Sequence, residues 1–191
     1  MSGVPQFPQI LTSQKAAGVA QNTYTAAKSV INPSELVTLP ANYLTIGSKF
    51  RIRGLLALSN IITTPGTFVL QVNMGTIVAF SSGNIQLNAT AHTALPLDFE
   101  IELRVDSIGS GTAAKFMGRG KMTGIQPTLT AAQVDAVNTS GSFIFPVTTP
   151  AVGTGFDSTI ANIMDLWAGF SISNAGNGIT VQDYLVEQLS F

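Results

Sequence analysis

Ten consecutive residues near the middle of the chain alternate strictly between apolar and charged side chains. Apolar residues occupy every second position from Leu97 to Val105, and acidic or basic residues occupy the alternate positions from Asp98 to Asp106. Successive side chains of a β-strand point to opposite faces, whereas an α-helix repeats every 3.6 residues. The segment therefore predicts a strand with one face in a core and the other in water.

A second alternating segment follows after a short stretch rich in Gly and Ser, and this order predicts a β-hairpin. One face of the second strand carries three basic residues: Lys115, Arg119 and Lys121. A turn centred near Ile108–Gly109 places Glu102 opposite Lys115. The same turn places Asp98 opposite Arg119, and such pairs contribute about 0.2–1 kcal/mol each. The charged face is either a polar binding surface or an ordinary solvated face.

Turn signals divide the chain after Leu36 into about eight strands, at residues 50–58, 68–74, 77–80, 97–105, 114–122, 142–147, 164–172 and 179–191. The apolar phase shifts near Asp183–Tyr184, which predicts a bulge in the last strand. The loop-rich stretch 123–161 includes one short helical turn, at Thr130–Val134. Because almost no helix is available to cover the strands, we predict an all-β fold, an antiparallel two-sheet sandwich of jelly-roll-like topology.

Residues 1–35 differ from the rest of the chain, because prolines interrupt them and small and amide side chains dominate. We predict an extended N-terminal arm over residues 1–35 and a β-sandwich domain over residues 36–191. Ser13–Ile31 favours a weak helix at most, since Gly18 lowers helix propensity. The segment is either a flexible leader or an arm that becomes ordered against a partner.

Composition excludes several classes of protein. Charged residues make up 10% of the 191, against about 25% in a typical domain. The net charge is −1 and the nine Lys and Arg are spread along the chain, so we expect no nucleic-acid binding. The absence of cysteine excludes disulfides and thiolate metal sites. No apolar segment reaches the roughly 18 residues of a membrane span, and we expect neither a membrane partner nor a signal peptide.

The residues that carry chemistry do not form a recognisable site. His92 is the single histidine and lies in a predicted loop, where no Gly-x-Ser-x-Gly motif accompanies it. Glu100 and Glu102 share a strand face, as a glycosidase pair would, but cationic neighbours are expected opposite them. We therefore expect a protein that is not an enzyme, with no catalytic residue, no bound metal and no cofactor.

Two further features leave alternatives open. Trp167, the only tryptophan, lies on the strand face opposite Leu166 and Phe170, and serves either as a sugar platform, as a subunit contact or as partly buried packing. The carboxylates of Asp157, Asp165 and Asp183 are isolated in the sequence, so a calcium site has no support there.

The string LPANYLTIGSKFRIR, from Leu39 to Arg53, resembles a segment of virion proteins of tailed bacteriophages. The likeness covers roughly residues 36–191 and continues through residues 68–76, 97–105, 109–124 and 179–191. It is a pattern of strands and glycines and carries no catalytic signature. The resemblance implies a jelly-roll-like sandwich, often trimeric, that decorates the capsid or forms part of a fibre.

The resemblance favours a capsid decoration, or cement, protein that binds the major capsid protein at the capsid surface of the virion as a homotrimer. Residues 1–35 would then lie along the shell as its anchor. The alternative is a tail-fibre or receptor-binding module that recognises host polysaccharide through residues 123–161 and Trp167. A third option, a small coat protein of a jelly-roll virus, lacks the basic arm that RNA binding would need.

Overall fold

The computed structural model describes residues 8–22, 24–61, 64, 66–125, 140–146, 149 and 151–190. Within these ranges the chain is almost entirely β, with one 3-10 turn at Pro33–Glu35. The strands are β1 (Gln9–Ser13), β2 (Gln21–Asn22), β3 (Lys28–Ser29), β4 (Val37–Leu39), β5 (Lys49–Asn60), β6 (Thr67–Met74), β7 (Ile77–Ser81), β8 (Ile85–Gln86), β9 (His92–Ser107), β10 (Lys115–Ile125), β11 (Ser140–Phe145), β12 (Asn162–Phe170) and β13 (Gly178–Ser190). Over the same ranges, no helix is long and apolar enough to cross a membrane.

The strands form two antiparallel sheets that pack face to face. The larger sheet has the order β1-β13-β5-β9-β10-β11, with β2 also paired to β13. The smaller sheet has the order β3-β12-β6-β7, with β4 beside β12 and β8 beside β6. The chain passes between the two sheets several times along its length. The predicted all-β sandwich is confirmed.

All eight predicted strands are present, as β5, β6, β7, β9, β10, β11, β12 and β13. The predicted bulge in β13 is also confirmed, because its pairing with β5 shifts between Val181 and Asp183. The shift turns Tyr184 into the core and Asp183 outward. The helical turn proposed at Thr130–Val134 lies outside the described residues.

The register of the β9–β10 hairpin differs from the prediction. Arg119 pairs with Glu102 and Lys121 pairs with Glu100. The true turn is longer, because the chain turns over residues 110–113 and a bulge follows at Lys115. Arg119 thus pairs with Glu102, four positions after the predicted Asp98. Because the shift is an even number of residues, each side chain stays on its predicted face of the sheet.

The described part of the predicted arm is built into both sheets. β1 pairs with β13 at one edge of the larger sheet, and β3 pairs with β12 in the smaller sheet. Val30 and Ile31 are fully buried in the common core. The helix considered for Ser13–Ile31 is wrong, because the backbone there is extended with two short strands. These residues form a strap that crosses the side of the sandwich from one sheet to the other.

Aromatic rings fill the core between β10 and the smaller sheet. Phe116 packs edge-on against Phe50, with ring centroids 6.1 Å apart, and lies 5.2 Å from Phe156. On the same face of β10, Gly118 lies under the ring of Phe80 and a Cβ there would collide with it. Glycine at this position therefore admits an aromatic ring from the opposite sheet.

We expect Ile31→Ala to lower the free energy of unfolding by about 2–5 kcal/mol, because it leaves a cavity in the core. Ile31 is 1% exposed, whereas Ile10 in the same N-terminal region is 61% exposed. Ile10→Ala is the matched control and should change stability by less than about 0.5 kcal/mol. Urea unfolding measures both, and equal small effects would contradict a structural role for the strap.

Candidate functional site: a charged face and an isoleucine end

The outer face of the larger sheet gathers most of the charge of the molecule. Thirteen of the 19 charged residues lie there: Lys49, Arg51, Arg53, Asp98, Glu100, Glu102, Arg104, Asp106, Lys115, Arg119, Lys121, Asp183 and Glu187. Seven are basic and six are acidic, so their charges nearly cancel. The face is therefore not a basic patch of the kind that attracts nucleic acid.

Opposite charges alternate from strand to strand in two rows of this face. One row runs Glu187, Arg51, Glu102, Arg119, and the other runs Arg53, Glu100, Lys121. In the first row Arg51 Nε donates to Glu187 Oε2 at 2.9 Å, and Arg119 Nε donates to Glu102 Oε2 at 2.8 Å. The Arg119–Glu102 pair is exposed and contributes little by itself, whereas Glu187 is only 7% exposed. Lys49 pairs with Arg104, so the alternation is confined to the two rows, where it favours the observed strand order and register.

The carboxylates considered for glycosidase chemistry are held by cations. Glu102 accepts from Arg119, and Glu100 lies 3.4 Å from Lys121 Nζ. Glu100, Lys121 and Arg53 line a shallow depression on this face. The side chains of Glu100 and Glu102 remain 27% and 31% exposed to solvent. Both glutamates are therefore part of the rows of opposite charge on this face, which we call the charge ladder.

His92 opens β9, opposite Asn60 in β5. Partial burial lowers the pKa of His92, and its Nε2 is buried without a hydrogen-bond partner among the described residues. The three isolated aspartates remain apart in the fold: Asp157 precedes β12, Asp165 lies within β12, and Asp183 lies in β13. Across the described ranges, no group of three His, Asp or Glu side chains is placed to hold a metal ion.

Trp167 is engaged by a buried carboxylate. Its indole Nε1 donates to Asp165 Oδ2 at 2.6 Å, and Ser29 Oγ of β3 donates to Asp165 Oδ1 at 3.0 Å. Burial raises the pKa of Asp165, against the opposing effect of these two hydrogen bonds. The ring is half-buried on the outer face of the smaller sheet. Asp165 therefore ties the N-terminal strap to the smaller sheet, and Trp167 is part of that tie.

Four loops come together at one end of the sandwich. They are residues 40–48 before β5, 75–76 between β6 and β7, 108–114 between β9 and β10, and 157–161 before β12. Ser158 is the junction: its N donates to Gly109 O at 2.9 Å, and its carbonyl accepts from Asn42 N at 2.9 Å. Gly75 N donates to Ile163 O at 2.7 Å. The end is thus cross-linked by backbone hydrogen bonds.

This end exposes a set of isoleucines, which we call the isoleucine end. Ile46 is 67% exposed, Ile108 43% and Ile160 56%, each on a different loop. Ile77 and Ile163 are partly exposed at the same end. Sequence reasoning missed this surface, because the isoleucines are far apart in the chain and each stands in a polar loop. The one signal in the sequence was an isoleucine in or next to each of the four loops.

The isoleucine end carries almost no charge. Among its four loops only Asp157 is an Asp, Glu, Lys or Arg residue. The Asp157 carboxylate accepts from Thr159 Oγ1 at 2.6 Å and from Thr159 N at 2.8 Å. The Thr159 hydroxyl is the main cause that lowers the pKa of Asp157, followed by the backbone of Gly111. The end thus combines exposed isoleucines with a single charged residue on loops joined by hydrogen bonds, as a contact site for protein would.

No protein-family model matches the chain, and no curated protein is similar to it in sequence.

We expect the stability of the chain to depend on the titration of Asp165. Because its pKa is raised, the folded chain binds this proton more tightly than the unfolded chain does. The resulting stabilisation is fully present below the ordinary pKa of Asp, about 3.9, and is lost as pH rises through the raised value. Asp165→Asn removes this titration, so the stability of the wild type relative to the variant should fall across that window.

Urea unfolding between about pH 3 and pH 8 measures the effect of Asp165. The fluorescence of Trp167, the single tryptophan, should change over the same window in the wild type only. Asp183→Asn, at an exposed carboxylate of the outer face, is the matched control. Parallel pH profiles for the wild type and Asp165→Asn would show that burial of this carboxyl has no energetic consequence.

A double-mutant cycle tests the register of the charge ladder. Arg119→Ala and Glu102→Ala should couple by about 0.2–1 kcal/mol, since their side chains are hydrogen-bonded. Arg119→Ala and Asp98→Ala should show no coupling, because Asp98 pairs with Thr123. Chemical unfolding of the three single and two double variants, beside the wild type, gives both coupling energies. The reverse pattern would place the hairpin in the register that its sequence first suggests.

Proposed function

We propose that this chain is a non-enzymatic structural protein of a tailed-bacteriophage virion, a decoration protein that binds and stabilises the assembled capsid shell. The observation that carries the proposal is the isoleucine end. Its isoleucines are exposed to water on nearly uncharged loops that backbone hydrogen bonds join. Exposed apolar surface of this kind marks a site of contact with another protein. The resemblance of residues 36–191 to phage virion proteins supports the same class. Its partners are the major capsid protein and further copies of the chain.

The mechanism is mass action. A protein that binds the assembled shell and not its free subunits lowers the free energy of the shell by an amount that grows with its concentration. A homotrimer strengthens this effect, because the first contact raises the effective concentration of the other two. The charge ladder suits the task, since a face whose charges nearly cancel repels neighbouring copies only weakly in a crowded lattice.

The strap changes how the shell anchor should be tested. Deleting residues 1–35 would remove β1 to β3 and the buried Val30 and Ile31, so the sandwich itself would be damaged. Loss of binding by that truncation would not identify an anchor. Point substitutions at exposed positions are the proper test of any contact surface.

The proposal is tested with capsid heads purified from a phage that lacks this chain. Purified protein should co-sediment with expanded heads, saturate at a fixed ratio to the major capsid protein, and raise the temperature at which the heads disrupt. Free capsid subunits serve as the control and should not bind. Failure to bind heads, with binding to host polysaccharide instead, would favour the receptor-binding alternative.

A further inference from the structure

We infer that the isoleucine end is the surface through which copies of this chain associate with one another. The inference rests on the proposed function, because a trimeric decoration protein must bind copies of itself. It assigns that contact to the isoleucine end. Three exposed isoleucines stand on three loops that are hydrogen-bonded to each other or to neighbouring strands: Ile46, Ile108 and Ile160.

The charge pattern selects a second copy as the occupant. Burying an unpaired charge at an interface is costly, so a stable partner must match the charge of the surface it covers. The loops of the isoleucine end hold one charged residue, Asp157, which Thr159 already engages. An identical end is therefore a matching apolar surface under any symmetry operation that brings two copies together.

The size of the surface agrees with this occupant. Of the 23 residues in the four loops, 19 are not buried, and Ile77 and Ile163 bring the surface to 21 residues. This falls within the roughly 20–30 residues that each partner contributes to a standard interface. The loops are also ordered by their own hydrogen bonds, such as Gly109 N to Ser158 Oγ at 2.9 Å. Little conformational freedom is lost when such a surface is covered, which favours association.

The outer face of the larger sheet is a poorer self-contact. Its basic and acidic residues are exposed and already paired in rows, as with Arg119 and Glu102. A second copy would have to reproduce the alternation in register or bury unpaired charges. This face also carries exposed isoleucines, Ile10 beside Glu187 and Ile144 beside Lys121. They provide matched controls in a charged setting.

Light scattering of the purified full chain tests the inference at about 100 µM, where a complex with a Kd of about 1 µM is almost fully formed. The wild type should have two or three times the 20.0 kDa mass of the chain. Replacing Ile46, Ile108 and Ile160 together by Ser should give a monomer, because each isoleucine withdrawn from an interface raises the Kd roughly tenfold or more. Ile10→Ser with Ile144→Ser should leave the wild-type mass.

A charge-swap experiment shows whether the ends face each other. One variant carries Lys at positions 46, 108 and 160, and a second carries Asp at the same three positions. Each alone should be monomeric, because like charges oppose one another, and an equimolar mixture should associate. A single cooperative unfolding transition would verify that each variant folds, since the three positions are exposed.

The outcomes separate the inference from the proposed function. A wild-type monomer at this concentration, or an oligomer that the triple Ser variant leaves intact, would overturn the inference. A monomeric wild type that still binds phage heads would overturn the inference and leave the proposed function standing. An oligomer that dissociates in the triple variant but never binds heads would support the inference and overturn the function.

Discussion

The structure depends on the register of one long strand. β9 pairs with β5 on one side and β10 on the other, and its alternation puts apolar side chains from Leu97 to Val105 in the core. A slip of one residue would turn the five charged side chains of this strand into the core, at a cost that no rearrangement of neighbours recovers. The rows of opposite charge on the outer face favour the same register from the other side.

The few charged residues of the chain are concentrated on one face of the sandwich. Because the outer face of the larger sheet holds thirteen of the 19 charged residues, few charges are left for the rest of the surface. One end of the sandwich then combines neutrality with exposed isoleucines on loops that hydrogen bonds hold in place. A surface of this kind recognises another protein through shape and apolar area rather than through long-range attraction.

Buried polar groups attach the N-terminal strap to the sandwich. Glu35 Oε1 accepts from the backbone N of Lys15 and Ala16, at 2.7 and 3.1 Å, and Asp165 accepts from Ser29. Burial, and then the charge of Asp165, raises the pKa of Tyr184, whose hydroxyl lies in the core. The strap thus completes the sandwich with polar ties as well as with Val30 and Ile31.

The sequence by itself determined eight of the strands, β5 to β7 and β9 to β13, their inward faces and the bulge at Asp183, because alternation and turn residues act over a few positions. It also placed β9 and β10 in a hairpin with the correct faces, although the turn geometry moved the pairing by four residues. It did not predict the strands β1 to β4 and β8. Only the tertiary structure decided the rest. The strap binds strands more than 130 residues away, as Ser29 does Asp165, and the isoleucine end exists because Ser158 joins distant loops. No local pattern encodes contacts that chain folding alone brings together.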